Sequence, residues 1–162
     1  MEIDDLNPRT PDVIREFKAN LKMEVLNILR ENKAELHRQL LALQEAAAAD
    51  TKSSAGDKYE TGRESIRQSR TLLEKQWHTL GQWESTVQAL SVEPASVVRE
   101  GALLLLDIGW IWVAASFGKM ATGRGEIQGV SAISPLVQVL KGKGKGETAH
   151  FRGHTVEISD IL

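Results

Sequence analysis

The chain has no cysteine, which excludes disulfides and thiolate metal sites and fits a reducing compartment. It has almost no net charge: 20 Lys and Arg against 22 Asp and Glu leave −2, so the molecule as a whole is no electrostatic binder of nucleic acid. Aromatic residues are scarce, with one Tyr and three Phe besides four Trp, which leaves a deep aromatic ligand pocket poorly supplied. No apolar run reaches a clear membrane span. The longest, 101–118, carries Asp107 and Gly109 and falls short of the roughly 20 residues a span needs; two apolar strands joined at Asp107-Ile108-Gly109 explain it better. The opening Met-Glu-Ile-Asp-Asp is acidic where a secretion signal would be basic and then apolar. The expectation is a cytoplasmic protein with no membrane partner.

What is present is a folded chain, 41% hydrophobic and 26% charged over 162 residues, with room for one domain or for a small domain plus an extended element. Asn7-Pro8 through Asp12 excludes a helix interior but permits a start, with Thr10 as N-cap and Pro11 first in the helix. A helix is expected from there to about Ala49. Ile14, Phe17, Leu21, Val25, Leu29, Leu36, Leu40, Leu43 and Ala47 form its seam, broken only at Asn32. A second helix shows a heptad: Tyr59, Ile66, Leu73, Leu80 and Val87 on one edge, Gly62, Ser69, Gln76, Trp83 and Leu90 on the other. The second edge is small or polar towards 62 and large towards 90, where Trp83 and Leu90 are expected to meet the next domain. The helix stops near Ser91, since Pro94 cannot continue it. Two such helices bury their seams against each other as an antiparallel hairpin, a rod on the order of 55 Å at about 1.5 Å per residue. Pairing between chains, giving a dimeric adaptor, is the competing arrangement.

Beyond residue 93 the composition changes. Val97–Leu106 and Trp110–Ser116 read as strands, Gly118–Gly129 as a turn-rich connection, and Ser134-Pro135-Leu136 as a capped helix start. That helix shows Leu136, Val139 and Leu140, and Gly142 can stop it. Thr148–Phe151, a turn at Arg152-Gly153 and Thr155–Ile161 complete a small β domain. The expected class is α+β: a helical hairpin over 1–93 with its tip at about 50–58, then an antiparallel β domain over 94–162 with one short helix. Trp110 and Trp112 share a strand face, as core or as the seat of the hairpin base. The Lys141-Gly-Lys-Gly-Lys-Gly run follows a helix rather than preceding one and reads as a stop and turn, not a phosphate loop. His150 and His154 have no third ligand nearby for zinc. No Ser/His/Asp or Cys/His nucleophile arrangement is visible, so no catalytic residue is assigned.

The stretch between the helices, 50–63, holds the charged candidates. Asp57 fits a cap at the start of the second helix, through Ser54-x-x-Asp57 and Asp57-x-x-Glu60, or an approach to a metal. Asp50 stands at a helix end where negative charge is unfavourable, which calls for another reason. Lys52, Lys58 and Arg63 fit contacts to phosphate or a solvated face.

Two separated stretches resemble one family. Ser134-Pro-Leu-Val-Gln-Val-Leu-Lys-Gly-Lys-Gly-Lys-Gly-Glu147 resembles the Ser-Pro…Leu-x-Gly-Lys…Gly-Asp/Glu signature of the bacterial Gre transcript-cleavage factors. The closing Thr155-Val-Glu-Ile-Ser-Asp-Ile-Leu162 resembles their last strand, and Asp50-x-Lys52 with Tyr59-x-x-x-Arg63 resembles their coiled-coil tip. The resemblance implies an FKBP-like C-terminal domain that binds RNA polymerase, here through Ser134, Pro135, Leu136, Gly142 and Lys143. It implies a coiled coil entering the secondary channel, where tip acids help hold Mg²⁺ shared with the polymerase while its nascent RNA is cleaved; no cofactor is bound permanently. This chain departs from the pattern where the second acid falls, which is Ser53, and 54–57 carries two extra residues. Asp50, with Asp57 or Glu60 standing in for the missing acid, form the candidate metal set. Polymerase binding by a monomer is therefore the stronger expectation, ahead of cleavage stimulation; an FKBP-like prolyl isomerase and a dimeric adaptor are the alternatives.

Overall fold

The computed structural model describes the backbone of residues 1–50 and 56–162, and the side chains of 1–49 and 60–162. Two long helices come first, α1 (Pro11–Asp50) and α2 (Gly56–Ala89). A mixed sheet follows, of β1 (Leu103–Leu106), β2 (Gly109–Ala114), β3 (Gly118–Thr122), β4 (Gly125–Ser131) and β7 (Asp160–Ile161). The short helix α3 (Pro135–Leu140) and a separate hairpin of β5 (Thr148–Phe151) and β6 (His154–Glu157) lie between β4 and β7 in sequence. The chain forms two compact units: Met1–Leu26 with Ser85–Leu162, and Asn27–Glu84.

Asn27–Glu84 is a pair of helices joined through their seam. Glu84 on α2 receives Arg30 Nε at 2.8 Å and Lys33 Nζ at 3.3 Å from α1. Lys33 also lies 4.6 Å from the Trp77 ring centre, so its ammonium meets both a carboxylate and an aromatic face. The Arg30 hydrogen bond leads in holding the Glu84 carboxyl below the usual range, although partial burial works against it. Of the heptad, Leu80 is buried and Ile66 and Leu73 half-buried, while Ser69 and Gln76 on the other edge are exposed. Trp83 is half-buried and lines a surface concavity of this unit.

In the other unit the strand order is β3-β4-β2-β1-β7. β1 and β2 form a hairpin around Asp107-Ile108, with Leu106 opposite Gly109, and no helix among the described residues is long and apolar enough to cross a membrane. Four details differ from the sequence expectation. The segment 118–129 is not a connection: most of it is β3 and β4, turned at Gly123-Arg124, with β4 running parallel to β2 and making the sheet mixed. The first strand begins only at Leu103, because Val97 makes a lone bridge to Gly144. The last strand splits, His154–Glu157 pairing β5 and Asp160–Ile161 pairing β1. Val139 faces solvent, because on a six-residue helix Val137 and Leu140 already define the inward side.

Alternation gives the sheet two apolar faces. Leu104, Leu106, Ile111 and Val113 pack with Val137, Leu140, Val156 and Ile158 in one cluster. Trp110 and Trp112 point the other way and are buried. Trp112 Nε1 donates to Gly101 O at 3.3 Å, and Trp110 Nε1 to Asp4 Oδ1 at 2.9 Å. That second bond holds the N-terminal 3-10 turn (Ile3–Asp5), whose Ile3 and neighbour Leu6 are buried. Gly129 is obligatory: a Cβ there would lie 2.5 Å from both Ala115 O and the Phe117 ring.

One charge lies inside this unit. Lys18, on the first part of α1, is 1% exposed. Its Nζ donates to Glu93 O at 2.9 Å and Leu162 O at 3.2 Å. Burial, helped by the Arg99 charge and opposed by Glu93, lowers its pKa from 10.5 to about 8. The next basic residue on that helix, Lys22, donates to Leu90 O at 2.9 Å, meeting a carbonyl just past the end of α2.

Candidate functional site

The residues singled out from the sequence fall at two places, one in each unit. At the first, Asp50 is the last residue of α1, and Asp57 and Lys58 are the second and third of α2. Lys52 and Ser53 lie outside the described residues, as do the side chains of Asp50, Asp57, Lys58 and Tyr59. Glu60 and Arg63 are exposed and three residues apart on α2, which sets them on one helix face. Among the described residues no group of three or more His, Asp or Glu is placed to hold a metal.

At the second place, Ser134, Pro135, Leu136, Gly142 and Lys143 are brought together by α3 and its flanks. Ser134 is the N-cap: its backbone is extended and its Oγ accepts from Val137 N at 3.3 Å, an arrangement typically worth about 1 kcal/mol. Pro135 takes the first helical position, where its missing N–H costs nothing. Leu136 packs against the apolar cluster. Gly142, at φ +77, turns the chain out of the helix. Gly142 N then donates to Val98 O at 3.0 Å and Val98 N to Lys143 O at 2.8 Å. The α3 segment is thus capped at its start and fastened to Val98 just past its end, while its outer side, with Pro135, Gln138, Val139 and Lys141, is exposed.

Sequence reasoning missed Ile133, which precedes the cap and is 83% exposed, beyond any other large apolar side chain among the described residues. A residue at that position often packs back onto the helix's first turns as a staple; at this exposure Ile133 does not. The only available signal was an isoleucine in a tight polar turn, Ser131-Ala-Ile-Ser134.

Nearby, Asp160 anchors β7. Burial works against its charge, but the hydrogen bond from Arg9, the Ile161 N–H and the charges of Arg9 and Lys145 hold its carboxyl below the usual range. The concavity over the Trp110 side of the sheet, about 260 Å³, has Trp110 as its one aromatic among the described residues, with Asp4 and Lys119 at its edge. That lining gives no support to a prolyl-isomerase pocket. A larger concavity of about 550 Å³ lies on the helical pair, where Asn32 and Leu36 of α1 meet Gln76, Leu80 and Trp83 of α2.

Taken together these features define a two-part α+β protein: a long intramolecular helix pair joined to a small β domain that presents a capped, fastened helix with an apolar residue at its lip. No protein-family profile matches the chain, and no curated protein matches it. Among solved structures, the transcription factor Gfh1 is similar at 18% identity over 88% of this chain and 91% of that one, with a TM-score of 0.30.

Proposed function

We propose that the chain is an RNA polymerase secondary-channel factor of the Gre type, regulating transcript elongation without an active site of its own. The observation that carries this reading is the pairing of α1 with α2 inside one chain, through Arg30 and Lys33 to Glu84. Asp50 is the last residue of α1 and Asp57 the second of α2, and the residue resemblance to the Gre tip falls on the same stretch of sequence. In this reading residues 1–93 supply the hairpin and 94–162 the polymerase-binding domain. Ser134, Pro135, Leu136, Gly142 and Lys143 form the docking segment and Ile133 its apolar contact. Lys52, Lys58 and Arg63 face channel or RNA phosphates.

The candidate metal set is hard and anionic, the donor chemistry Mg²⁺ takes. Asp50, Asp57 and Glu60 would hold it jointly with polymerase carboxylates, and the ion would supply an activated water for phosphodiester hydrolysis. Ser53 offers a hydroxyl where the resemblance calls for a second acid, so the reading favours channel occupancy over strong cleavage.

The test pairs recovery of core polymerase at low salt with transcript cleavage on a stalled elongation complex. Binding with weak or no stimulated cleavage is expected, and any cleavage that does occur should vanish in the Asp50→Ala, Asp57→Ala double variant while binding persists. Failure to recover polymerase refutes the proposal; cleavage that survives both changes refutes the metal assignment.

A further inference from the structure

We propose that the open face of the helix pair in Asn27–Glu84 is a self-association surface, on which a second copy of the chain lays its α1 over the first copy's α2. The seam residues explain why this face is open. Ser69 and Gln76 sit where a heptad edge would carry large apolar side chains, and both are exposed. Asn32, the one break in the α1 seam, lines the same concavity as Gln76. A second concavity of about 440 Å³ continues the first along Leu43, Ser69 and Leu73, and a third of about 370 Å³ adjoins Arg67 and Thr71. Leu72 lines all three and is 56% exposed. A projecting leucine set beside unfilled apolar holes is the arrangement of a knob awaiting a facing helix.

Charge selects the occupant. Glu35, whose Oε2 accepts from Arg38 and whose Oε1 accepts from Gln39 on its own helix, stands on the α1 side of the first concavity and Lys75 on the α2 side. A two-fold axis running along the helix pair, in the plane between copies, places α1 over the partner copy's α2 at the same level. Each Glu35 then meets a Lys75 twice over, as an isologous contact requires, and the amides of Asn32 and Gln76 face each other to set the register. A rim of one sign would repel its own copy; this one is balanced. The contact is confined to residues 32–43 and 64–83 of each copy, a short stretch for a specific interface, which typically buries about 1,200–2,000 Å², so the dimer is weak and reversible. Self-association through this face holds whether or not the chain binds polymerase.

Sedimentation of the full chain from low micromolar to near-millimolar concentration tests it, with a shift from one chain mass to two expected. Leu72→Glu, at an exposed position, should keep its helical circular dichroism and stay monomeric. Glu35→Lys and Lys75→Glu should each weaken the dimer by about tenfold, and the two together should restore it. Because the chain lacks cysteine, mixed Glu35→Cys and Lys75→Cys variants should cross-link to each other faster than either does to itself. A single-chain mass at every concentration, a dimer indifferent to Leu72→Glu, or a double charge swap that fails to rescue would each overturn the proposal. So would a face that takes up only a helix of another protein while the chain stays monomeric.

Discussion

Raising the pH from 7 to 9.5 should make this protein more stable, against the usual trend in alkali, and Lys18 is the reason. Its folded pKa of about 8 lies below the unfolded 10.5. Between those values the unfolded chain holds more protons than the folded one, so unfolding free energy rises with pH. Below about 8 both states carry the charge, and the folded state bears the whole cost of burying it. At about 1.36 kcal/mol per pKa unit, the full effect is about 3 kcal/mol, of which about 2 should be recovered between pH 7 and 9.5. The neutral amine still has two N–H groups for the carbonyls of Glu93 and Leu162, so deprotonation leaves both acceptors satisfied. Urea unfolding followed by tryptophan fluorescence measures this directly, with Lys18→Met as the control. The variant loses both hydrogen bonds, a cost of about 1–3 kcal/mol per stranded acceptor, but it has no proton to release. The wild-type advantage over Lys18→Met should therefore grow with pH by about 2 kcal/mol. A difference that stays flat from pH 7 to 9.5 would mean that Lys18 reaches solvent and that its burial has been misjudged.

Three further outcomes follow from the same packing. Gly129→Ala forces a methyl to within 2.5 Å of backbone and ring, and should cost about 2 kcal/mol or more, read as a fall in Tm of several degrees; an unchanged Tm would show that the β2–β4 crossover is loose. Ile133→Asp touches little of the protein itself, being 83% exposed, so its Tm should hold while polymerase capture falls at least about tenfold, in line with loss of an apolar anchor. Equal capture by the variant removes Ile133 from the docking surface. Glu84, with its pKa held down by Arg30 and Lys33, contributes stability that is present above pH 4.5 and lost as pH falls through its lower folded value; Glu84→Gln should abolish that acid-side loss, which solvent screening keeps to about 1 kcal/mol or less.

The helices were legible because their signal is local and redundant. Nine seam positions on α1 and a strict heptad on α2 say the same thing many times, and Pro11 and Pro94 mark where helix is allowed to begin and must be over. The β1–β2 hairpin was equally plain, since Asp107-Ile108-Gly109 interrupts an otherwise unbroken apolar run. β3 and β4 were not, and the reason is physical. A strand at or next to a sheet edge has little to bury, and Gly118-Lys-Met-Ala-Thr122 carries too few large side chains to announce a face. Its pairing with β4 is set instead by Gly118 lying opposite Gly129, and Gly129 is demanded by a carbonyl and a ring that approach from Ala115 and Phe117. No pattern of hydrophobicity encodes a close approach of that kind. Lys18 shows the same limit from the other side. On a helical wheel it falls within the apolar seam, beside Val25 and Leu29, where a lysine reads as an interruption, and only the arrival of residues 93 and 162, distant in sequence, turns it into a buried donor. The α3 segment was readable at Ser134 and Pro135, whose cap chemistry is local, and unreadable at Ile133, because exposure is decided by what fails to cover a side chain. The function inferred for this chain rests on the same division. The helix proposed to dock and the helix pair are written in local patterns, while the residues that would distinguish occupying a channel from acting in it are carboxylates whose geometry the proposed partner would complete.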